Sequence, residues 1–173
     1  MRILAALALM LVTACVGAPS LDDAPLSDRK LNLEEFFDGR VEAKGQFQDL
    51  FGTVRRRFDV TINGTWDGKV LTLVEDFVYE DQSTERRIWT LTKTGADTWR
   101  GTAPGVQGTA TGEERGDTFN WRYTIDLPVP DGTLRVTFDD WMWLLGDDRL
   151  LNRAYMSRAG VNIGDVIIVF EKG

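Results

Sequence analysis

The chain has 173 residues, with 20 Lys+Arg against 27 Asp+Glu for a net charge of −7, one cysteine and no histidine. The length suits one domain with a sizeable core, and the acidic balance argues against a nucleic-acid backbone as partner. A single cysteine excludes an intramolecular disulfide or a Cys-rich zinc site, and the lack of histidine removes the commonest general base, neutral metal ligand and pH switch.

At the N-terminus, Met1-Arg2 is a minimal basic start, and Ile3 to Val12 is an unbroken apolar run. Such a run is too short to span a bilayer and has the length of a secretory signal core. It leads into Val12-Thr13-Ala14-Cys15. Small residues behind a branched apolar one, directly before cysteine, resemble a bacterial lipobox. The pattern predicts removal of residues 1–14 and acylation of Cys15, which becomes the membrane anchor. Val16 follows, with no acidic residue next to the cysteine. By analogy with Gram-negative sorting, the expected location is the cell envelope, lipid-anchored at the outer membrane and facing the periplasm.

Residues 15–30 form the expected lipidated N-terminus and tether. Val16 to Lys30 holds two prolines, two serines and three aspartates without an apolar period, a composition that solvates rather than folds. The domain is expected over 31–173. Asn32 is placed to cap a short helix, Leu33-Glu34-Glu35-Phe36-Phe37, with Glu35 where a capping-box partner belongs. From Arg40 the apolar period becomes two. Strands are predicted over 41–49, 53–62, 69–79, 85–93, 98–103, 108–113, 118–126, 133–143, 148–157 and 165–172. Turn signals separate them at Asn63-Gly64, Asp67-Gly68, Thr94-Gly95, Arg115-Gly116-Asp117, Asp131-Gly132 and Gly146-Asp147. About ten short strands joined by hairpins make an all-β antiparallel meander, and closure into a single up-and-down barrel removes its edges. A membrane-spanning barrel is excluded by Arg55, Arg56 and Arg57, which put charge on both faces of one strand.

Five blocks carry a resemblance: Leu33 to Gly39, Gly45 to Asp49, Gly64 to Gly68, Leu73 to Tyr79, and Asp139 to Trp143. Together, over Leu31 to Lys172, they resemble the bacterial lipoprotein family known as domain of unknown function 3833. The resemblance implies a lipocalin-like (calycin-like) barrel and no assigned activity, catalytic residues or cofactor.

Strand parity singles out polar residues on faces that should be internal. Arg56 shares a face with Phe58, Val60 and Ile62. Glu75 lies among Leu71, Leu73, Phe77 and Tyr79, and Arg87 lies with Trp89 and Leu91. Phe119, Trp121, Tyr123 and Ile125 form one apolar face. Asp140 interrupts Val136, Phe138 and Met142, and Asn152 sits among Leu150, Ala154 and Met156. Buried charges must be paired. Two arrangements meet that demand. In one, Arg56 and Arg87 pair with Glu75 and Asp140 and fill a narrow barrel. In the other, aromatic walls and an Arg/Asn cluster enclose a small amphipathic ligand, a fatty acid or lipid. The second arrangement makes Arg56, Glu75, Arg87, Trp89, Trp121, Tyr123, Asp140 and Asn152 the candidate ligand-binding residues.

Enzymatic patterns are weak. Ser-His-Asp and Cys-His mechanisms need histidine, and the glycines between Gly101 and Gly116 lack the Lys-Ser/Thr ending of a phosphate loop. A glycosidase-like pair of Glu75 and Asp140 is the remaining hydrolytic option. Asp147-Asp148 lacks EF-hand spacing and reads as a turn. No cofactor or metal is called for, and a protein partner for a filled barrel is the competing, non-ligand role. Trp141 and Trp143 fall on the outer face of a regular strand. A bulge near Asp139-Asp140 is expected to turn them inward.

Overall fold

The computed structural model describes residues 18–129 and 132–173. The apolar run Ile3 to Val12, the lipobox, Cys15 and Asp131 of the expected turn lie outside the described residues. One short helix, α1 (Leu33–Phe37), precedes ten strands: β1 (Gly39–Asp49), β2 (Val54–Trp66), β3 (Val70–Tyr79), β4 (Thr84–Lys93), β5 (Thr98–Thr102), β6 (Val106–Arg115), β7 (Thr118–Val129), β8 (Gly132–Leu144), β9 (Arg149–Arg158) and β10 (Val161–Lys172). Each strand pairs antiparallel with its sequence neighbours, and β1 pairs with β10, so the sheet is a closed barrel. The meander and its closure are as the turn spacing predicts.

Closure leaves one face inside and one outside. Outside, directly opposed residues form ion pairs across neighbouring strands: Lys44–Asp59, Asp76–Arg86, Arg122–Asp139, Asp126–Arg135 and Arg149–Glu171. Such a wall offers no apolar band to lipid. Inside, α1 closes one end of the barrel, with Leu33, Phe36 and Phe37 buried. The opposite end, bounded by the β1–β2, β3–β4, β5–β6, β7–β8 and β9–β10 hairpins, is the mouth.

Three local expectations are corrected. Asn63-Gly64 is not a turn but the interior of β2, paired with Val74 and Leu73 of β3. Glycine is needed there for another reason: a Cβ at Gly64 would lie 1.7 Å from the carbonyl oxygen of Phe37, so only glycine lets α1 sit against the barrel. The capping box does not form. Asn32 makes no side-chain cap bond, because its Nδ2 donates to Glu35 Oε2 at 3.0 Å. The Leu33 N–H of the first helical turn instead donates to Glu114 Oε1 of β6 at 2.9 Å. The bulge at Asp139-Asp140 is also absent. The β7–β8 ladder runs from Thr118↔Trp143 to Val129↔Gly132 without a register shift, so Trp141 and Trp143 stay on the outer face, stacked at 6.5 Å. Trp141 is nonetheless only 2% exposed. It shares a groove with Pro19, Ser20, Leu21 and Asp22, so the apolar ring is covered from outside rather than turned in.

The segment before α1 is tied to the closed end. Ser27 N–H donates to Asp117 Oδ2 at 2.9 Å, Leu31 N–H to the Gly116 carbonyl at 2.8 Å, and Asp22 pairs with Arg115. Next to these contacts, Glu114 also accepts a bond from Trp99 Nε1 at 3.0 Å and lies beside the Lys93–Glu34 pair. This buried carboxylate fastens the plug helix to the wall.

Candidate functional site

The barrel is hollow. A cavity of about 480 Å³ runs from the plug residues Leu33 and Phe37 to Phe47, Leu127, Val129, Leu134 and Ile163 at the mouth. Its size follows from strand number and side-chain choice. Eight strands enclose an interior that side chains just fill, and ten enclose more. Small residues on the inner side leave space unfilled, Ala154 among them. Gly101 and Gly112 serve the same end differently. A Cβ on either would lie within 3.0 Å of the Trp121 ring, so the glycine-rich stretch of β5 and β6 makes room for that indole.

All eight candidate residues line this one cavity: Arg56, Glu75, Arg87, Trp89, Trp121, Tyr123, Asp140 and Asn152. They come from β2, β3, β4, β7, β8 and β9 and converge because strand alternation puts their parity inside. The adjacent acids separate as alternation requires. Asp76 and Asp139 pair with arginines outside, while Glu75 and Asp140 point in. The aromatic wall is continuous. Trp89 meets Tyr123 edge-on at 4.9 Å and Trp121 at 5.7 Å, and Tyr123 stacks on Phe138 at 5.1 Å.

The ion pairing expected of a filled barrel does not form. Arg56 lies near the mouth, its guanidinium 3.4 Å from the centre of the Tyr79 ring and donating to Ser83 Oγ at 2.9 Å. Arg87 donates through Nη2 to Glu85 Oε1 at 2.6 Å, and Glu85 accepts the Tyr79 hydroxyl at 2.7 Å. Glu75 and Asp140 thus have no bonded arginine. The reason is the register: Glu75 stands directly across from Arg87, while Glu85, two residues along the same face of β4, reaches the guanidinium first. Parity reasoning omitted Glu85 and did not single out Tyr79. Both share the internal parity of Arg87 and Glu75, and extending each face to the strand end would have found them.

Burial and these neighbours set the protonation states. Burial pushes the Glu75 carboxyl up to about 7, against the opposing pull of Arg87. Burial raises Asp140 well above the usual carboxylate range, with Asp139 and Glu75 adding repulsion. Burial and the nearby Asp140 raise the Tyr123 phenol. Asp140 Oδ1 is buried without a hydrogen-bond partner among the described residues. Burial opposes the charge of Glu85, but Arg87 and the Tyr79 hydroxyl hold its carboxyl below the ordinary value. The cavity therefore holds one ion pair, Arg87–Glu85, beside two carboxyls, Glu75 and Asp140, whose charge burial disfavours, and a neutral phenol. Arg87 uses a single N–H in that pair, leaving the other donors of its fork for a further acceptor. Asn152 is committed to structure, its Nδ2 donating to the Trp141 carbonyl at 3.3 Å. Among the described residues no group of three or more His, Cys, Asp or Glu is arranged to hold a metal.

A closed antiparallel barrel with a plugged base and a hollow, aromatic-walled interior is the calycin-like architecture. The chain belongs to the family described as protein of unknown function (DUF3833), whose model matches residues 9–172. A comparison with curated proteins gave no match. Among solved structures, the S-type phycobiliprotein lyase CPES from Guillardia theta is similar at TM-score 0.60 and 10% identity, over 83% of this chain and 93% of that one. The protein EF1p2_mFAP2b, solved bound to DFHBI, is similar at TM-score 0.45 and 7% identity, over 80% of this chain and 95% of the other. At these identities the first shows a shared barrel fold.

Proposed function

We propose that the barrel binds one small amphipathic molecule, a fatty acid or a lipid bearing an acceptor head group, on a chain held in the cell envelope by an acylated Cys15. The observation that carries this reading is the cavity of about 480 Å³, lined mostly by apolar side chains, with one polar cluster around Arg87. Pockets for small ligands span roughly 300–1,000 Å³ and combine apolar walls with a few placed polar groups. The Arg87 fork and the Tyr123 phenol present donors, and burial disfavours charge on the neighbouring Asp140, so the cluster suits a carboxylate or another acceptor oxygen. Trp89, Trp121 and Phe138 flank the body of the ligand.

The test is mass spectrometry of the protein extracted under native conditions, followed by titration with a fatty acid while tryptophan emission is recorded. A co-purifying small molecule and saturable quenching are expected. Loss of a charge-assisted bond in Arg87→Met should weaken the acid roughly tenfold or more while sparing its alcohol analogue. Equal affinity of acid and alcohol in both proteins would remove Arg87 from head-group recognition. Absence of any bound molecule and of quenching would leave the non-ligand role.

A second reading, a carboxylate-dependent hydrolase, is favoured by one observation. Glu75, pushed up to about 7, and Asp140, raised well above the usual carboxylate range, face the same cavity, as a base and an acid would. It requires turnover of a bound ester or glycoside that Glu75→Gln abolishes. Turnover unchanged in that variant removes the pair from any mechanism.

A further inference from the structure

Among the described residues, four of the nine exposed large apolar side chains gather on one side of the mouth, while Leu26, Val78, Ile88, Leu145 and Val169 lie apart from them. Leu50 (57% exposed) and Phe51 (90%) form the tip of the β1–β2 hairpin, Val161 (65%) opens β10, and Val129 (39%) ends β7. All belong to the mouth. The β1–β2 and β9–β10 hairpins are neighbours, because β1 pairs with β10 and Asp49 stands opposite Gly164. The β7–β8 hairpin lies next along the rim, since β9 pairs with β8. The three hairpins make one apolar lip. The lip continues inward without a polar break through Phe47, Leu127, Pro128, Leu134 and Ile163, which line the outer part of the cavity.

The tip is built to hold its shape. Asp49 Oδ1 accepts the N–H groups of Phe51 and Thr53 at 2.9 and 3.0 Å, its Oδ2 pairs with Arg55, and Gly52 takes a positive φ of 76°. Phe51 is therefore presented to solvent by a well-made turn. Arg158 stands directly across from Val161, and Arg55 and Arg57 lie just behind the Phe51 tip. Arg57 and Arg158 make no ion pair among the described residues. The other side of the mouth, the β3–β4 hairpin, is polar, with Glu80, Asp81, Gln82 and Ser83. Apolar wedges flanked by cations match the acyl boundary and anionic head groups of a bilayer, whereas a peptide groove would require backbone acceptors that closed strands do not offer.

We propose that this lip, Leu50, Phe51, Val129 and Val161, docks the mouth of the barrel onto a lipid bilayer, so that an amphipathic ligand passes between membrane and cavity without crossing water. The passage of a ligand rests on the ligand-binding reading; the docking does not. Two arms keep them apart. In the first, an environment-sensitive fluorophore is placed on the full chain at Phe51→Cys, or at Leu145→Cys at the closed end, with Cys15→Ser making the introduced thiol unique. Vesicles contain phosphatidylglycerol with phosphatidylcholine brominated in its acyl chains. Quenching and a blue shift are expected at position 51 and not at 145. No quenching at 51, or equal quenching at both, overturns the docking. In the second, Leu50→Ser/Phe51→Ser should slow uptake of a fluorescent fatty acid from vesicles by roughly tenfold, with its equilibrium affinity in solution unchanged. Uptake at the unaltered rate overturns the route. A wild-type protein that takes up no fatty acid from any source refutes the ligand reading, and the first arm then decides the docking alone.

Discussion

Replacing Glu75 by glutamine should stabilise the protein at neutral pH and leave it unchanged in acid. The carboxyl ionises at about 7 in the folded chain against an ordinary value of 4.5, because burial in the cavity disfavours its charge more than Arg87 favours it. In the unfolded chain the proton leaves at the lower pH, so between the two values the folded state binds more protons and stability falls as pH rises. The contribution is fully present below 4.5 and is lost as pH rises through 7. At about 1.4 kcal/mol per pH unit, that interval amounts to about 3 kcal/mol. Glu75 is half-buried on a cavity that admits water, which screens the charge, so we expect about 1–2 kcal/mol between wild type and Glu75→Gln at pH 8. Urea unfolding at a series of pH values between 4 and 8 measures it. The two stability curves should coincide at pH 4 and diverge upward through neutrality, with the glutamine variant the more stable. Parallel curves, or a variant less stable at pH 8 than the wild type, would show that Glu75 is ionised and satisfied in the folded barrel.

Other outcomes follow from the same geometry. Gly64→Ala puts a Cβ onto the Phe37 carbonyl and should displace the plug helix, at a cost of about 1–3 kcal/mol in thermal or urea unfolding, although the residue stands in a regular strand. Ala154→Leu extends a cavity-lining side chain, so it should abolish fatty-acid quenching of tryptophan while far-UV circular dichroism stays that of the wild type. Retained affinity would place the ligand elsewhere. Cys15→Ser should remove labelling by radioactive palmitate and shift the protein from the membrane to the soluble fraction or leave its signal uncleaved; continued labelling would refute the anchor assignment.

Strand alternation made much of the site legible in advance. A residue of the right parity in a closed barrel must point inward, whatever its chemistry, and Arg56, Glu75, Arg87, Trp89, Trp121, Tyr123, Asp140 and Asn152 do so. Partner choice was not legible, because it depends on register and reach. Arg87 faces Glu75 across the ladder yet bonds to Glu85, and Arg56 turns toward Tyr79 and Ser83 at the rim. Asn63-Gly64 misled for a related reason. A dipeptide that often makes a turn was placed here by the need of a distant segment, α1, to approach the wall. Trp141 shows the converse: the expected burial is present, but it comes from a surface groove shared with Pro19 to Asp22 and not from a bulge.

Composition, period and spacing sufficed for the topology. The absence of histidine narrowed the chemistry, and hairpin signals between alternating segments dictated a closed meander, since an open edge of this length is costly. Whether the barrel is filled or hollow lay beyond them. Interior volume is a small difference between the space that ten staggered strands enclose and the volume of the side chains they point inward, and only the closed structure sets both. The same holds for the protonation of Glu75 and Asp140, which burial among particular neighbours determines, and for the apolar lip, which exists only because closure brings three hairpins distant in sequence to one rim.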